Sequence, residues 1–201
     1  MTKDHLTNIV FGITFLNLSA VGACAITFDC AFITIVRLGA LLCNLLMGVL
    51  LLFSRNSVSS SSPLHHPYWL GMVLCNIAGV KMVTKEHDII VTCSLLFVFG
   101  MLLVIASLFS LGNSFTVTPM FTRIRTRFVY SYVRHPMYLG ESIMFLSCIL
   151  ASGSLFAFLL YLLFVVFMVL RIREEETLLS KSEAYKKYCS KTSWRLLPYV
   201  W

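Results

Sequence analysis

Residues 138–170 read YLGESIMFLSCILASGSLFAFLLYLLFVVFMVL. This apolar stretch is too long for one untilted crossing of a bilayer, because a helix of about 20 residues already spans the hydrocarbon core. Ser152-Gly153-Ser154 interrupts the stretch near its middle, and such a cluster is a turn signal. The pattern predicts a hairpin of two short helices and favours it over a single bent, steeply tilted helix.

Four further apolar stretches precede this hairpin. They occupy residues 6–28, 30–53, 67–83 and 89–111, and each is near the length that a helix needs to cross a bilayer. The chain of 201 residues is 58% hydrophobic and only 12% charged, whereas soluble domains carry about a quarter charged residues. We therefore predict an all-α, polytopic transmembrane helical bundle with five to six membrane segments, ending in the helical hairpin and an interfacial tail.

The distribution of basic residues predicts the orientation of the bundle. Most of the sixteen lysines and arginines fall at the N-terminus, in the loop of residues 112–137 and in the tail from Arg171 onward. The positive-inside rule then places both termini, this loop and the tail on the cytosolic side. The tail is polar but rich in aromatic residues, as expected of a segment that lies on the headgroup layer. The membrane would be the endoplasmic reticulum in a eukaryote or the inner membrane in a bacterium.

Composition disfavours nucleic-acid and metal binding. The formal net charge is +7, but the basic residues flank apolar segments, so anionic lipid headgroups are the favoured partner rather than nucleic acid. The seven cysteines are scattered, with no C-x-x-C pair and no Cys/His spacing typical of a metal site. We interpret them as small apolar fillers and predict no metal.

Arg134-His135-Pro136 immediately precedes the hairpin. Proline suits the first helical turn, so a helix should begin near Pro136 and leave backbone N–H groups without intrahelical partners. With Arg134 and His135 beside that positive end, the segment could bind an anion such as a carboxylate or phosphate. A membrane helix cap with a basic residue at the headgroups is the alternative, and these residues alone leave both open.

Glu174-Glu175-Glu176 follows the last apolar run. Successive residues on a helix point about 100° apart, so three in a row cannot all serve one pocket. Standing alone, the run would be interpreted as a hydrophilic stop after a membrane helix. Because it and Arg134-His135-Pro136 bracket one hairpin, both should return to one surface, which favours a shared site. Tyr185 and Tyr188 share a helix face, and packing or interfacial anchoring is their default interpretation.

The segment from about residue 110 to 201 resembles the isoprenylcysteine carboxyl methyltransferase family, which groups with phospholipid N-methyltransferases. The matching motifs are YSYVRHPMYLGE at residues 130–141, Glu174-Glu175-Glu176, Tyr185-Lys186-Lys187-Tyr188 and Arg195-Leu196-Leu197-Pro198. Two departures stand out. Phe128-Val129 replaces a usual Gly-Pro, and Ser180-Lys181-Ser182 replaces a usual Phe-Gly, which blurs the alignment of the three glutamates.

The resemblance implies a membrane-embedded transferase that uses S-adenosylmethionine. Residues 112–201 would then be the cofactor-binding catalytic region and residues 1–111 a four-helix membrane region, in one integrated domain. The cofactor-binding residues that the resemblance implies are Tyr130, His135, Pro136, Tyr138, Gly140, Glu175 and Glu176. Arg134, Arg173 and Glu176 are the catalytic candidates.

The chemistry of these residue types fits methyl transfer. Arg134, His135 and the helix N-terminus could hold the carboxylate of the cofactor, while Glu175 or Glu176 suits its ammonium and ribose hydroxyls. A carboxylate acceptor needs only orientation, for which Arg173 or Arg134 is a candidate fork. An amine acceptor must lose a proton and would need a base such as Glu141 or a neighbouring glutamate.

The favoured hypothesis is S-adenosylmethionine-dependent methyl transfer to a lipophilic acceptor that arrives through the membrane, the carboxylate of a prenylated cysteine first among them. Phospholipid N-methylation and an NADPH-dependent membrane sterol or lipid reductase are the alternatives. A non-enzymatic adaptor or transporter comes last. In that last case substitution of Arg37, an ionisable residue inside the second span, would impair function, whereas substitution of His135 would not.

Overall fold

The computed structural model describes residues 9–17, 31–53, 71–72, 74–75, 90–112 and 126–201, and it contains helices but no strand within these ranges. The helices are α1 (Ala31–Leu52), α2 (Ile90–Leu111), a 3-10 turn (Phe128–Ser131), α3 (Pro136–Ser152), α4 (Leu155–Leu179) and α5 (Glu183–Lys191). Residues 9–17 are also helical. The prediction of an all-α fold is confirmed.

Three of these helices are long and apolar enough to cross a membrane. They cover Phe32–Leu52, Val91–Leu111 and Leu155–Leu179, and α3 is a shorter apolar helix. The predicted count of five to six segments is larger than this. The difference falls on the predicted spans 6–28 and 67–83, which lie mostly outside the described residues.

The hairpin predicted within residues 138–170 is present. Gly153 ends α3 in the left-handed conformation (φ 60°), and its N–H donates to the carbonyl of Ile149. A left-handed residue at this position suits glycine because no Cβ opposes it. Ser154 then caps α4 by accepting a hydrogen bond from the N–H of Ala157. The chain therefore reverses direction where the sequence predicted a break.

Helix α4 is longer than the apolar run from which it was predicted. It extends through the three glutamates to Leu179, so the polar tail predicted from Arg171 onward begins as the last turns of α4. Arginine, glutamate and leucine are strong helix formers, and α4 contains no glycine or proline. The helix therefore continues past the apolar run, and residues 171–179 of the predicted tail belong to it.

Helices α3 and α4 run antiparallel. Near the beginning of α3, Tyr138 donates to Glu175 near the end of α4 at 3.0 Å. Further along α3, the ring of Phe145 packs edge-on against that of Phe164, with centroids 5.1 Å apart. Later residues of α3 therefore meet earlier residues of α4. This pairing brings the beginning of α3 and the end of α4 together, opposite the turn at Gly153.

The beginning of α3 also packs closely against α2. A Cβ atom added to Gly140 would lie 2.7 Å from the carbonyl oxygen of Gly100, and one added to Gly100 would lie 2.8 Å from that of Gly140. Only two glycines allow helix backbones to approach so closely. This contact fixes the position of the helix end from which the candidate site is built.

Candidate active site

The candidate site lies at the open end of the α3–α4 hairpin. As predicted, Pro136 occupies the first turn of α3, and the structure shows that it is buried. His135 stands at the N-cap position without a side-chain capping bond, while its carbonyl accepts the N–H of Leu139 at 3.2 Å. The N–H groups of the first helical turn have no intrahelical acceptor. The helix start therefore presents backbone donors beside the His135 ring.

The carboxylate of Glu176 joins three segments that are distant in sequence. Its Oε1 atom lies 3.0 Å from Nη1 of Arg134 and 3.2 Å from Nε2 of His135, and it accepts a hydrogen bond from the Tyr185 hydroxyl at 3.3 Å. Its Oε2 atom accepts from Nε of Arg195 at 2.7 Å. We call these five residues the Glu176 cluster.

Backbone hydrogen bonds attach the C-terminal segment to this cluster. The N–H groups of Arg134 and His135 donate to the carbonyls of Trp194 and Arg195, each at 2.9 Å. The segment then folds back, because the N–H groups of Arg195 and Leu196 both donate to the carbonyl of Trp201. Residues 194–201 therefore form a hook against the beginning of α3.

Arg134 connects the hook to α5. Its Nη1 atom donates to Sγ of Cys189 at 3.2 Å and its Nη2 atom to the carbonyl of Ser193 at 2.9 Å. Its Nε atom is buried and has no hydrogen-bond partner among the described residues. Cys189 thus differs from the buried free cysteines of the helices, such as Cys43 and Cys148, which fit the interpretation as apolar fillers.

A second polar cluster adjoins the first. Tyr138 donates to Oε2 of Glu175 at 3.0 Å and accepts from Nε of Arg171 at 3.4 Å. Arg171 is buried and its Nη1 atom lies 3.7 Å from Glu174, while Glu141 on α3 interacts electrostatically with it. We call these five residues the Arg171 cluster. It holds three carboxyl groups and one guanidinium, which gives it an excess of acidic groups.

Tyrosines frame the two clusters. Tyr188 donates to the carbonyl of buried Tyr130 at 2.7 Å, and its ring centroid lies 5.9 Å from that of Tyr185. Burial raises the pKa of Tyr188 to about 12 and raises the pKa of Tyr185 as well. Both phenols therefore stay protonated near neutral pH and act as donors. The two tyrosines are buried and bond to Glu176 and to the carbonyl of Tyr130. Their interpretation as headgroup anchors is therefore not supported.

A family model described as phospholipid methyltransferase matches residues 88–187. Through this segment the chain belongs to that family. The resemblance seen in the sequence is thereby confirmed, and family membership together with the three apolar helices indicates an integral membrane methyltransferase for lipid-like substrates. A comparison with curated proteins finds no match. The matched segment contains α2, α3 and α4 but ends before the hook.

The structure brings most of the predicted site residues of this family member together. Those at the open end of the hairpin are Tyr130, Arg134, His135, Pro136, Tyr138, Glu175 and Glu176. Arg173 instead is exposed, so its catalytic role stays a prediction. Gly140 faces α2, where close packing already accounts for a glycine, and its contact with a cofactor likewise stays a prediction.

Sequence reasoning missed two residues of the site. Arg171 was treated only as a flanking charge, yet its spacing of three and four from Glu174 and Glu175 puts all three on neighbouring parts of one helix surface. Arg195 was noted within Arg195-Leu196-Leu197-Pro198 without a role. Its motif was the available signal, but only the path of the hook brings it to Glu176.

Proposed function

We propose that this protein transfers a methyl group from S-adenosylmethionine to a lipophilic acceptor that enters from the bilayer. The observation that carries the proposal is the division of charge at the open end of the hairpin. The Glu176 cluster combines one carboxylate with two arginines and a histidine, and the adjoining Arg171 cluster has an excess of acidic groups. S-adenosylmethionine has the complementary distribution, with a carboxylate at one point and an ammonium and a sulfonium nearby.

The residues at the site fit this cofactor. Its carboxylate could accept hydrogen bonds from the free N–H groups at the beginning of α3 and from Nε of Arg134, a buried donor without a partner among the described residues. Its ammonium and ribose hydroxyls could donate to Glu175, whose described hydrogen bond comes from Tyr138. Tyr130 and His135, buried beside these groups, would shield the cofactor from water.

When bound, S-adenosylmethionine would supply an electrophilic methyl group, whose bond to sulfur breaks as a lone pair of the acceptor forms the new bond. The chain needs no nucleophilic side chain for this reaction. Its residues contribute by aligning the two reactants and by surrounding them with fixed donors and acceptors in a buried site. The ion pairs of the Glu176 cluster and the hydrogen bond between Tyr138 and Glu175 supply that rigidity.

The charge of the Arg171 cluster supports an amine acceptor, such as the headgroup amine of a phospholipid. The carboxylates of Glu174 and Glu175 outnumber the one guanidinium of Arg171, so the cluster attracts a cation and repels an anion. The ammonium form of an amine must lose a proton before it can attack, and Glu141 lies within the cluster on α3. Glu141 is therefore the candidate base.

The carboxylate of a prenylated cysteine is the second candidate acceptor. Arg173 is exposed at the end of α4, where a guanidinium could hold a carboxylate in a bidentate fork while the prenyl chain stays in the lipid. The proposal includes a cytosolic location for the site and for both termini, which the distribution of Lys and Arg supports.

The test is methyl transfer in lipid nanodiscs with S-adenosylmethionine carrying a labelled methyl group. Phosphatidylethanolamine and a prenylated cysteine peptide are offered separately. We expect label in one of them, and we expect His135→Ala and Glu175→Gln to abolish most of it. Lys186→Gln, which removes an exposed charge, serves as the control and should keep wild-type activity.

The rival reductase is tested by thermal unfolding in detergent. Stabilisation by S-adenosylmethionine and none by NADPH supports the proposal. Stabilisation by NADPH alone, with no label in either acceptor, would overturn it in favour of the reductase.

A further inference from the structure

Glu176 is engaged almost entirely by groups of the protein itself. Four side chains surround its carboxylate at 2.7 to 3.3 Å: Arg134, His135 and Tyr185 lie at Oε1, and Arg195 bonds to Oε2. His135 donates in the tautomer that carries a proton on Nε2. The side chain of Glu176 is only 11% exposed.

Glu175 differs in this respect from its neighbour. Among the described residues it accepts one hydrogen bond, from Tyr138 to Oε2, and it is only partly buried. Its Oε1 atom can therefore accept from a ligand. The two adjacent glutamates therefore differ in their surroundings, because four side chains of the protein hold Glu176 and one described hydrogen bond holds Glu175.

We propose that Glu176 is a positioning residue rather than a cofactor ligand, and that Arg195 is its fixed counter-ion. Together they hold the hook against Arg134 and His135 and so keep those two side chains in place for the carboxylate of the cofactor. This inference rests on the proposed function and assigns the direct acidic contact to Glu175.

Arg195 is suited to this task because it is restrained from several sides. Its Nε atom bonds to Glu176, its carbonyl accepts from His135, and its N–H donates to Trp201. Its guanidinium also lies 5.3 Å from the centroid of the Trp201 ring, a cation–π distance. The side chain is thereby held in one arrangement although it is 36% exposed.

The charges of Glu176 and Arg195 explain why this ion pair affects the binding of an anion. Two arginines against one carboxylate leave the Glu176 cluster with a surplus positive charge. Without Arg195, Glu176 would neutralise Arg134 and draw the remaining donors to itself. The affinity for the cofactor carboxylate should then fall, whereas the alignment of the methyl group, once bound, should change little.

Steady-state kinetics test this role. For Arg195→Gln we expect KM for S-adenosylmethionine to rise about tenfold with kcat changed by less than about threefold, since a partly exposed charge is screened by solvent. Arg195→Lys keeps the charge and should recover most of the loss. Equal falls in kcat and kcat/KM, or no recovery by lysine, would overturn the assignment.

The isosteric pair Glu175→Gln and Glu176→Gln separates the two glutamates. We expect Glu175→Gln to lower the affinity for S-adenosylmethionine at least about tenfold while the thermal stability of the ligand-free protein stays near wild type. We expect Glu176→Gln to lower that ligand-free stability and to expose the hook. The reverse pattern, with Glu176→Gln weakening binding and leaving stability and hook protection intact, would refute the inference.

A measurement without cofactor keeps this inference separate from the proposed function. Chymotrypsin cleavage after Trp194 reports release of the hook, and we expect it to accelerate in Glu176→Gln and in Arg195→Gln. The double variant should be little worse than either single variant, because both break the same contact. Glu183→Gln with Lys186→Gln, an exposed pair at 2.7 Å, is the matched control and should not change cleavage.

The two proposals then fail in different ways. In one case the wild type binds no S-adenosylmethionine, but the double variant is cleaved little faster than either single variant. The cofactor assignment is then wrong, and the contact between Glu176 and Arg195 still holds the hook. If the cofactor binds but the effects of the two substitutions on cleavage simply add, the contact between Glu176 and Arg195 does not hold the hook.

Discussion

Replacing Gly140 by alanine tests how closely α2 and α3 must approach. The added methyl group would lie 2.7 Å from the carbonyl oxygen of Gly100, 2.7 Å from Cγ2 of Val104 and 3.0 Å from the backbone N of Val104. Two of these three atoms belong to the backbone of α2. Because a helix backbone cannot rotate away as a side chain can, the two helices must separate.

The magnitude follows from the distances. An ordinary contact begins at 3.4 Å, so the helices must move apart by several tenths of an ångström. Overpacking of this kind destabilises by about 1–3 kcal/mol, and the backbone obstacle argues for the upper half of that range. Alanine has a helix propensity better than glycine by about 1 kcal/mol. We expect a net loss of about 1–2 kcal/mol.

The assay is thermal unfolding of the ligand-free protein in one detergent. A loss of this size corresponds to a fall in Tm of about 2–8 °C for a protein of this length. Gly39→Ala is the matched control, because its new methyl group would meet the side chains of Phe97 and Met101. Those side chains can move, so Gly39→Ala should be the milder substitution.

Activity should fall more than stability does. Gly140 lies one turn from His135 and Pro136, and a displacement of reacting groups by about 1 Å can slow an enzyme about a hundredfold. An unchanged Tm in Gly140→Ala would refute the packing argument. A loss of cofactor affinity without a loss of stability would instead support the cofactor contact that the family resemblance implies for this glycine.

Two further substitutions and one pH titration probe the remaining features. Arg171→Gln should destabilise the protein by about 3–5 kcal/mol, because it removes a buried guanidinium and leaves partly buried Glu174 without its ion-pair partner. The substitution of exposed Arg173 by glutamine should change stability by less than about 0.5 kcal/mol. Chemical denaturation measures both changes. Since burial raises the pKa of Tyr188 to about 12, its phenol stabilises the fold fully below the ordinary phenol pKa of about 10, and this contribution is lost as the pH rises through about 12. Tm between pH 9 and 12 should therefore fall less steeply in Tyr188→Phe than in wild type, and equal slopes would contradict this.

The features that were predictable from the sequence depend on local signals. Gly153 between two serines marks the turn of the hairpin, and Pro136 marks the beginning of α3, because each residue acts on its own backbone. The apolar runs likewise gave α1 and α2 to within about two residues, the usual uncertainty of a helix end. These signals require no knowledge of what packs against the helix.

The rest depends on partners that lie far away in sequence. Residues 155–170 of α4 are apolar on every side, so their pattern does not reveal which face is buried, and Arg171 could not be distinguished from Arg173. Gly140 acquires its role from Gly100, and Glu176 from Arg195, across loops whose paths no local pattern encodes. Sequence motifs could identify these residues as candidates, but only the packed structure shows which residues contact one another.

The hook has a consequence for the order in which the protein is made. A nascent chain that has emerged only as far as Ser193 already contains every apolar helix described above, yet it lacks Arg195 and the carbonyls of Trp194 and Arg195 that accept from Arg134 and His135. Insertion of the helices into the bilayer can therefore precede completion of the polar site. Residues 194–201, which follow every apolar helix described above, are the ones that close it.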